Sequence, residues 1–332
     1  MKKTKKSTAQ LTLPMHLPPR EVKEYAKQHW NITFARQKKV SVYAKRMMAN
    51  VMGQIRDNDF DLLPYYQMRV GEIVPPDAGL SGVYGEIKKA FIELASLHWL
   101  IEDIENKQFA VRHLLNTSDV KCGYDNGIIT IVLNPVLKPY FIEIAHYSTY
   151  ELKHYMTFKS WYSLRMFEML SAYKDTGIWE TSIEKFRELM DCKEKYPKTP
   201  DLLKYTLTEP LKELGPTKMA FSYEPILEER FGRGTRAIVA LRFKLENVEL
   251  KVIPSSWYEF SDEHKQVLMK LQAFKVSETN ITRYAKVIGI EGAKKLLKEW
   301  ENKERSDRKI DDKVKYCNAV WVKQGKEQGV PN

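Results

Sequence analysis

The sequence predicts an α+β chain: two tandem winged-helix units, each a helix-turn-helix plus a β-hairpin, with a helical C-terminal extension. Three observations predict it. Residues 160–245 read as an apolar helix, a capped helix, an amphipathic helix, and two β-rich segments around a glycine- and arginine-rich tip. The upstream residues repeat helix, strand, helix and paired strands, with Asp125-Asn126-Gly127 supplying residues able to take positive φ at a turn. The chain has 332 residues, which suits two or three domains. The expected divisions are a basic flexible arm over 1–33, a first winged helix over 34–153, a second over 154–250, and a charged helical region over 251–332.

Along the first unit, Ser41 is placed to cap a helix with Val42, Met47, Val51 and Ile55 at its apolar positions, ended by residues 57–61. Residues 66–70 form a short strand candidate. The spacing over 81–97 predicts an amphipathic helix, with Ile87, Phe91, Leu94 and Ala95 inward and Glu86, Lys88, Lys89 and Glu93 on other faces. Residues 109–115 and 128–133 are read as the two arms of a hairpin. Asn134-Pro135 then gives an N-cap and a proline at the first helical position, starting a helix through Leu137, Phe141 and Ile144.

The second unit opens with an apolar helix over 160–173 carrying Tyr162, Leu164, Phe167 and Leu170, broken at Gly177. Trp179 marks a brief strand. Thr181 and Glu184 form a capping box for a helix through Phe186 and Leu189. A polar connection with Lys193, Lys195, Tyr196, Lys198 and Thr199 leads to a helix from Pro200 to about Leu214. At about 100° per residue, Leu203, Leu207, Leu211 and Leu214 fall on one side, and Asp201, Lys204, Tyr205, Thr208 and Lys212 on the other. Pro210 is placed to kink or end the last turn. Residues 219–226 and 236–245 are the closing strands. Beyond a linker over 252–256, Ser261 caps a helix through Val267 and Leu271. Helical patterns follow over 279–288 and 291–300, then a charged stretch over 301–315 and a short tail with Trp321.

Lysine and arginine number 54 against 43 acids, a net charge of +11, which suits a polyanionic partner through counterion release and is equally found in generally basic soluble proteins. The apolar fraction of 43% and charged fraction of 29% suit packed cores in a soluble protein. Cys122, Cys192 and Cys317 have no CxxC or zinc spacing, so reduced side chains in a cytoplasmic protein are expected. No apolar run is long enough to span a bilayer, and Lys2, Lys3, Lys5 and Lys6 precede no apolar core, so neither a membrane partner nor a signal peptide is expected. That basic N-terminus reads as a disordered tail or as an arm on phosphates.

A helix with leucines on one face and polar side chains on the other meets the need of a major-groove reader: one face fixes its tilt, the other reaches base edges. The candidates are Lys204, Tyr205, Thr208 and Lys212, against a simply solvated face. Arg230, Arg233 and Arg236 alternate with Gly232 and Gly234 in the proposed wing, where arginine suits phosphate or a narrow minor groove. The bland alternative is a flexible hairpin tip. Lys195 and Lys198, with Lys193, read as phosphate contacts or solvated charge, and Tyr196 as a packing anchor. In the first unit Tyr84, Lys88 and Lys89 are the analogous candidates, with a dimer surface as the alternative. No GxxxxGK[ST], GxSxG or HExxH occurs, and no close histidine pair offers the metal site a tyrosine nickase would need. No catalytic residue, metal or cofactor is expected.

These residues resemble the iteron-binding plasmid replication initiators, the Rep proteins built from two winged helices, over roughly 34–247. The most specific segment is Thr157-Phe158-Lys159-Ser160-Trp161-Tyr162-Ser163-Leu164-Arg165-Met166-Phe167-Glu168-Met169-Leu170, which resembles the family's Ser, Tyr-Ser, Arg-aromatic-Glu-Leu helix. Ile183-Glu184-Lys185-Phe186-Arg187-Glu188-Leu189-Met190 with Lys195-Tyr196, and Leu211-Lys212-Glu213-Leu214, are similar to its second helix and to the end of its recognition helix. Upstream, Tyr124-Asp125-Asn126-Gly127, Ile131 and Leu137-Lys138-Pro139-Tyr140 resemble the end of its first winged helix. The chain departs in carrying Glu213-Leu214-Gly215 where relatives often have Glu-Ile-Asn, and in having fewer arginines along that helix.

The resemblance implies a bacterial, plasmid-associated protein that binds double-stranded origin DNA at direct repeats, the iterons. It implies monomers that help open the duplex and recruit the host replication initiator and replicative helicase. It implies dimers, joined through the first winged helix, that repress the protein's own promoter or couple origins. A winged-helix transcription regulator with no replication role is the alternative.

Overall fold

The computed structural model describes residues 20–75, 79, 82–103, 108–142, 144, 147–228, 237–247, 254–305 and 310–328. The chain enters through β1 (Tyr25–His29) and a helical turn, α1 (Trp30–Thr33). Both lie inside the span expected to be a flexible arm. Instead Ala26, Gln28, Trp30 and Thr33 are buried, because β1 pairs antiparallel with residues 147–151, Gln28 opposite Ser148. Residues 1–19, with the basic N-terminus, lie outside the described residues.

Ser41 starts α2 (Val42–Gln54) as expected, its Oγ accepting from the Ala44 N–H at 3.3 Å. β2 (Tyr66–Arg69) and α3 (Val83–Ser96) come next, α3 entering from Gly82 at φ 79°. Then come β3 (His98–Asp103), β4 (Gln108–His113), β5 (Gly123–Asp125) and β6 (Ile128–Ile131). Asn126 (φ 46°) and Gly127 (φ 81°) make the tight turn where expected. The pairing differs, however. β4 pairs with β3, and β6 with β5 and β2, so residues 109–115 and 128–133 share one bridge, Leu115 to Leu133. The strand reached by the shorter loop wins, since closing a longer loop costs more entropy. Asn134 caps as expected, Oδ1 accepting from the Val136 N–H at 3.2 Å. The element it caps is a 3-10 helix, Pro135–Tyr140, holding Pro139, which has no N–H to continue a helix.

β7 (Tyr147–Glu151) and α4 (Leu152–Tyr155) lead to α5 (Trp161–Ser171), capped by Ser160 and buried along its whole length. β8 (Ile178–Ser182), α6 (Ile183–Leu189), α7 (Thr199–Leu214), β9 (Phe221–Leu227) and β10 (Ile238–Leu245) complete the second unit. The cap of α6 is Ser182, whose Oγ accepts from the Lys185 N–H at 3.1 Å, and not Thr181, which is still paired in β8 with Leu241. Both units build the same three-stranded order, β2-β6-β5 and β8-β10-β9, with the last strand in the middle. That is the sheet of a winged helix, and it stands twice in this chain. The units share one apolar core running from Ala26 to Leu245, in which Trp179 stacks on Phe243 with centroids 4.8 Å apart.

A buried ionic centre ties α2 to α5. Glu168 of α5 accepts from the Lys45 ammonium of α2 at 2.6 Å, from Arg165 at 2.8 Å and from the Tyr155 hydroxyl at 2.6 Å. Burial alone would raise the Glu168 carboxyl; the two cations overcome this and hold it below the usual carboxylate range. Arg46 of α2 adds a second tie, donating to the Phe158 carbonyl at 2.8 Å and that of Ile73 at 3.1 Å.

The C-terminal region has its own core. α8 (Asp262–Ala273) is capped by Ser261 as expected, and α9 (Glu278–Arg305) breaks at Gly289 (φ 65°, ψ 176°), between the two expected helical patterns. The stretch expected as a charged segment and tail instead yields α10 (Lys313–Glu327), because Cys317 and Trp321, four residues apart, are both fully buried with Trp257 and Trp300. The Trp321 indole donates to the Asn280 carbonyl at 2.8 Å. This unit contacts the rest through Lys270, which donates to the Tyr147 carbonyl at 3.1 Å, and Gln266, which donates to Thr176 at 3.2 Å. Among the described residues no helix is long and apolar enough to cross a membrane.

Replacing Glu168 by Gln keeps the shape but leaves two buried cations without a carboxylate. The expected loss is about 3–5 kcal/mol in urea unfolding. His29, half-buried beside Tyr140, is pushed down to about 4, first by burial and then by Lys294, with Glu291 opposing. The unfolded chain therefore binds the extra proton between pH 6.5 and about 4, and stability falls as pH drops through that window. A His29→Asn variant, followed by thermal midpoint against pH, is expected to lose part of that dependence.

Candidate nucleic-acid interface

The site is built on α7. Leu202, Leu203, Thr206, Leu207, Pro210 and Leu214 are buried, and these positions mark one continuous arc at helical spacing. Asp201, Lys204, Tyr205, Thr208 and Lys212 face out, so the polar side expected to be free is free. Leu211, expected on the inner side, is 38% exposed, because the buried arc centres near Pro210 and Leu211 sits one full residue rotation beyond it. Pro210 does not end the helix, which runs on to Leu214. There Glu213 ties the end of α7 to the start of α5, its carboxylate accepting from the Lys159 N–H at 2.8 Å and the Ser160 N–H at 3.3 Å. The Thr208 hydroxyl donates to the Lys204 carbonyl at 2.6 Å, leaving its lone pairs outward to accept.

The turn between α6 and α7 presents Lys193, Lys195 and Lys198 to solvent. It is shaped by two residues of positive φ, Asp191 (50°) and Tyr196 (55°). Arg187 holds it. Its guanidinium donates to three consecutive carbonyls, Lys195 at 2.9 Å, Tyr196 at 2.8 Å and Pro197 at 3.1 Å. Tyr196 then stacks on Tyr205 with centroids 4.8 Å apart and planes 20° apart, and the Lys204 ammonium lies 5.7 Å from the Tyr205 ring centre. The anchor role expected of Tyr196 thus has a geometry, and it ties the turn's lysines to the α7 face. Arg187 has no signal in the sequence pattern, since nothing local distinguishes it from a solvated helix arginine.

The base of the wing is closed by Glu228 N–H donating to the Ala237 carbonyl at 2.9 Å. Arg230, Arg233 and Arg236 themselves lie outside the described residues. In the first unit, Tyr84, Lys88 and Lys89 are exposed on α3, and Tyr84 meets Tyr124 edge-on at 5.2 Å. They sit on the helix after the first strand of their own unit, as α7 comes after β8 and α6 in the other. Glu93 on the same helix is engaged, accepting from the Ser41 N–H at 2.7 Å. Among the described residues, no group of three histidine, cysteine or acidic side chains is placed to hold a metal ion.

Two units of the same strand order, the second with α7 beside its sheet and a polar face outward, define a double winged-helix protein. The family models agree: initiator replication protein WH1 matches residues 25–171, and initiator Rep protein WH2 matches residues 182–245. The chain belongs to this family of replication initiators. Its structure is similar to the solved structure of Pi initiator protein in complex with iteron DNA, with a TM-score of 0.52 and 16% identity, over 67% of this chain and 97% of that one. No curated protein matches the chain. The helices α8, α9 and α10 lie beyond both family models.

The face assignment on α7 predicts opposite results for two neighbouring leucines. Leu207→Ala should cost about 2–5 kcal/mol in denaturant unfolding. Leu211→Ala should stay within about 0.5 kcal/mol of the parent.

Proposed function

We propose that the protein is a plasmid replication initiator that binds the direct repeats, or iterons, of a double-stranded origin. The observation that carries this is the α7 face: Lys204, Tyr205, Thr208 and Lys212 outward on a helix whose other side is locked into the core. A rigid helix with donors and acceptors on its free side can fill a major groove and distinguish base edges. Lys195, Lys198 and the wing arginines Arg230, Arg233 and Arg236 supply phosphate contacts that set register without reading sequence. Tyr84, Lys88 and Lys89 give the first winged helix its own backbone contact. The Pi protein, of like fold, is described in complex with iteron DNA, which supports a duplex with repeats as the ligand.

On this reading monomers help open the origin and recruit the host replication initiator and the replicative helicase. Dimers formed through the first winged helix repress the protein's own promoter. The protein is cytoplasmic and acts without a catalytic site or cofactor of its own.

The test is a footprint on the DNA flanking the gene. Protection repeating at helical-turn spacing is expected, and equal affinity for that DNA and random duplex at physiological salt would sink the reading. Lys204→Ala or Lys212→Ala should weaken repeat binding by about 1–3 kcal/mol where they touch bases. Loss of a minimal plasmid when the gene is disrupted separates an initiator from a transcription regulator alone.

A further inference from the structure

The residues between α1 and α2 carry a cluster of cations that no motif marks: Arg36, Lys38 and Lys39, all exposed. In the fold they are pinned against α2, α5 and the turn between α6 and α7. We propose that residues 35–39 form a further nucleic-acid contact, a strap whose cations bind backbone phosphates of the duplex beside the α7 face. This rests on the reading that α7 meets duplex DNA.

Four anchors hold the strap. Arg165 donates to the Ala35 carbonyl at 3.2 Å. Lys45 donates to the Gln37 side-chain oxygen at 2.8 Å, so both cations of the buried ionic centre also grip this segment. Gln37 returns to the Ile32 carbonyl at 2.8 Å. The Lys39 N–H donates to the Asp191 carboxylate at 3.0 Å, across to the turn between α6 and α7. A segment so pinned presents its charges without the ordering entropy that a free linker loses on binding.

Its position is continuous with the interface already described. The Lys39 ammonium lies 4.4 Å from the Tyr162 ring centre, and the Tyr162 hydroxyl is 3.3 Å from the Cys192 sulfur. Cys192 begins the turn that carries Lys193 and Lys195 and ends in the Tyr196–Tyr205 stack. The strap therefore extends one basic surface from Lys204 through Lys193 and Lys195 to Lys39. The acid facing it is Asp191, whose other oxygen stands 3.9 Å from Arg36, near the limit of an ion pair. Lys38 makes no ion pair among the described residues. The surface keeps a net positive charge after its internal pairs are counted, and the turn before a recognition helix is where a DNA backbone passes.

The test measures binding to two duplexes of equal length, one carrying the footprinted repeat and one random, by fluorescence anisotropy over a range of KCl. A variant with Arg36→Ala, Lys38→Ala and Lys39→Ala is compared with a control of equal charge loss on the C-terminal helices, Lys286→Ala, Lys315→Ala and Lys323→Ala. Each released phosphate contact removes about 0.9 from the slope of log K against log salt. The strap variant should lose roughly two to three units of slope on both duplexes, with the control losing less than about one and thermal midpoints unchanged. Equal slopes for strap variant and control overturn the strap. Lys204→Ala, run alongside, tells the two failures apart: if it lowers the preference for the repeat while the strap variant behaves as the control, the α7 reading stands and the strap falls. If the parent protein prefers neither duplex, the α7 reading falls, and the slopes on random duplex still decide the strap.

Discussion

Glu168 is the residue around which this protein is organised. One buried carboxylate on α5 accepts from Arg165 of its own helix, from Lys45 of α2 and from Tyr155, and so fixes α5 against α2. Such centres rarely add net stability over a well-packed apolar substitute, because desolvating the charges costs about what their attraction returns. What this one supplies is geometry. Three donors on three elements reach one carboxylate only in one register of α5 on α2. The stretch that most resembles the initiator family is this helix, so Arg165 and Glu168 serve the frame on which α7 is carried.

The frame matters because recognition depends on small displacements. α7 is held from below by its buried leucines, at its end by Glu213 on the start of α5, and at its beginning through Arg187 and the Tyr196–Tyr205 stack. Apart from Tyr205, none of these groups needs to touch a ligand. They set where the outward side chains start, so that binding orders side-chain rotamers but not the helix backbone that carries them. The turn is the costly part, with two non-glycine residues in left-handed backbone conformation. Arg187, by collecting three carbonyls, offsets that cost.

The C-terminal unit extends the chain beyond the two family models with a core of its own, built on Trp257, Trp300 and Trp321. Its link to the winged helices is polar and specific. Lys270 donates to the Tyr147 carbonyl, and the ammonium groups of Lys27 and Lys270 lie 3.7 Å and 4.4 Å from the Tyr147 ring centre. This contact falls on the β1–β7 ribbon, a two-stranded sheet that alone would be marginally stable.

What the sequence by itself determined is whatever a few neighbouring residues decide. Ser41, Asn134 and Ser261 cap where their side chains meet the next N–H groups. Asn126-Gly127 turns because both residues tolerate positive φ. The polar face of α7 follows from leucine spacing alone. The tertiary structure decided everything settled between distant segments. It paired β1 with β7, moved β4 to β3, and turned Leu211 outward by the seating of the arc around Pro210. It turned the charged tail into α10 by burying Cys317 and Trp321, and it brought Arg36 to Lys39 beside the turn between α6 and α7. The reason is one of range. Caps, turns and helical faces are set by contacts a few residues apart, whereas strand partners, buried ion groups and composite surfaces exist only once separate parts of the chain exclude water together.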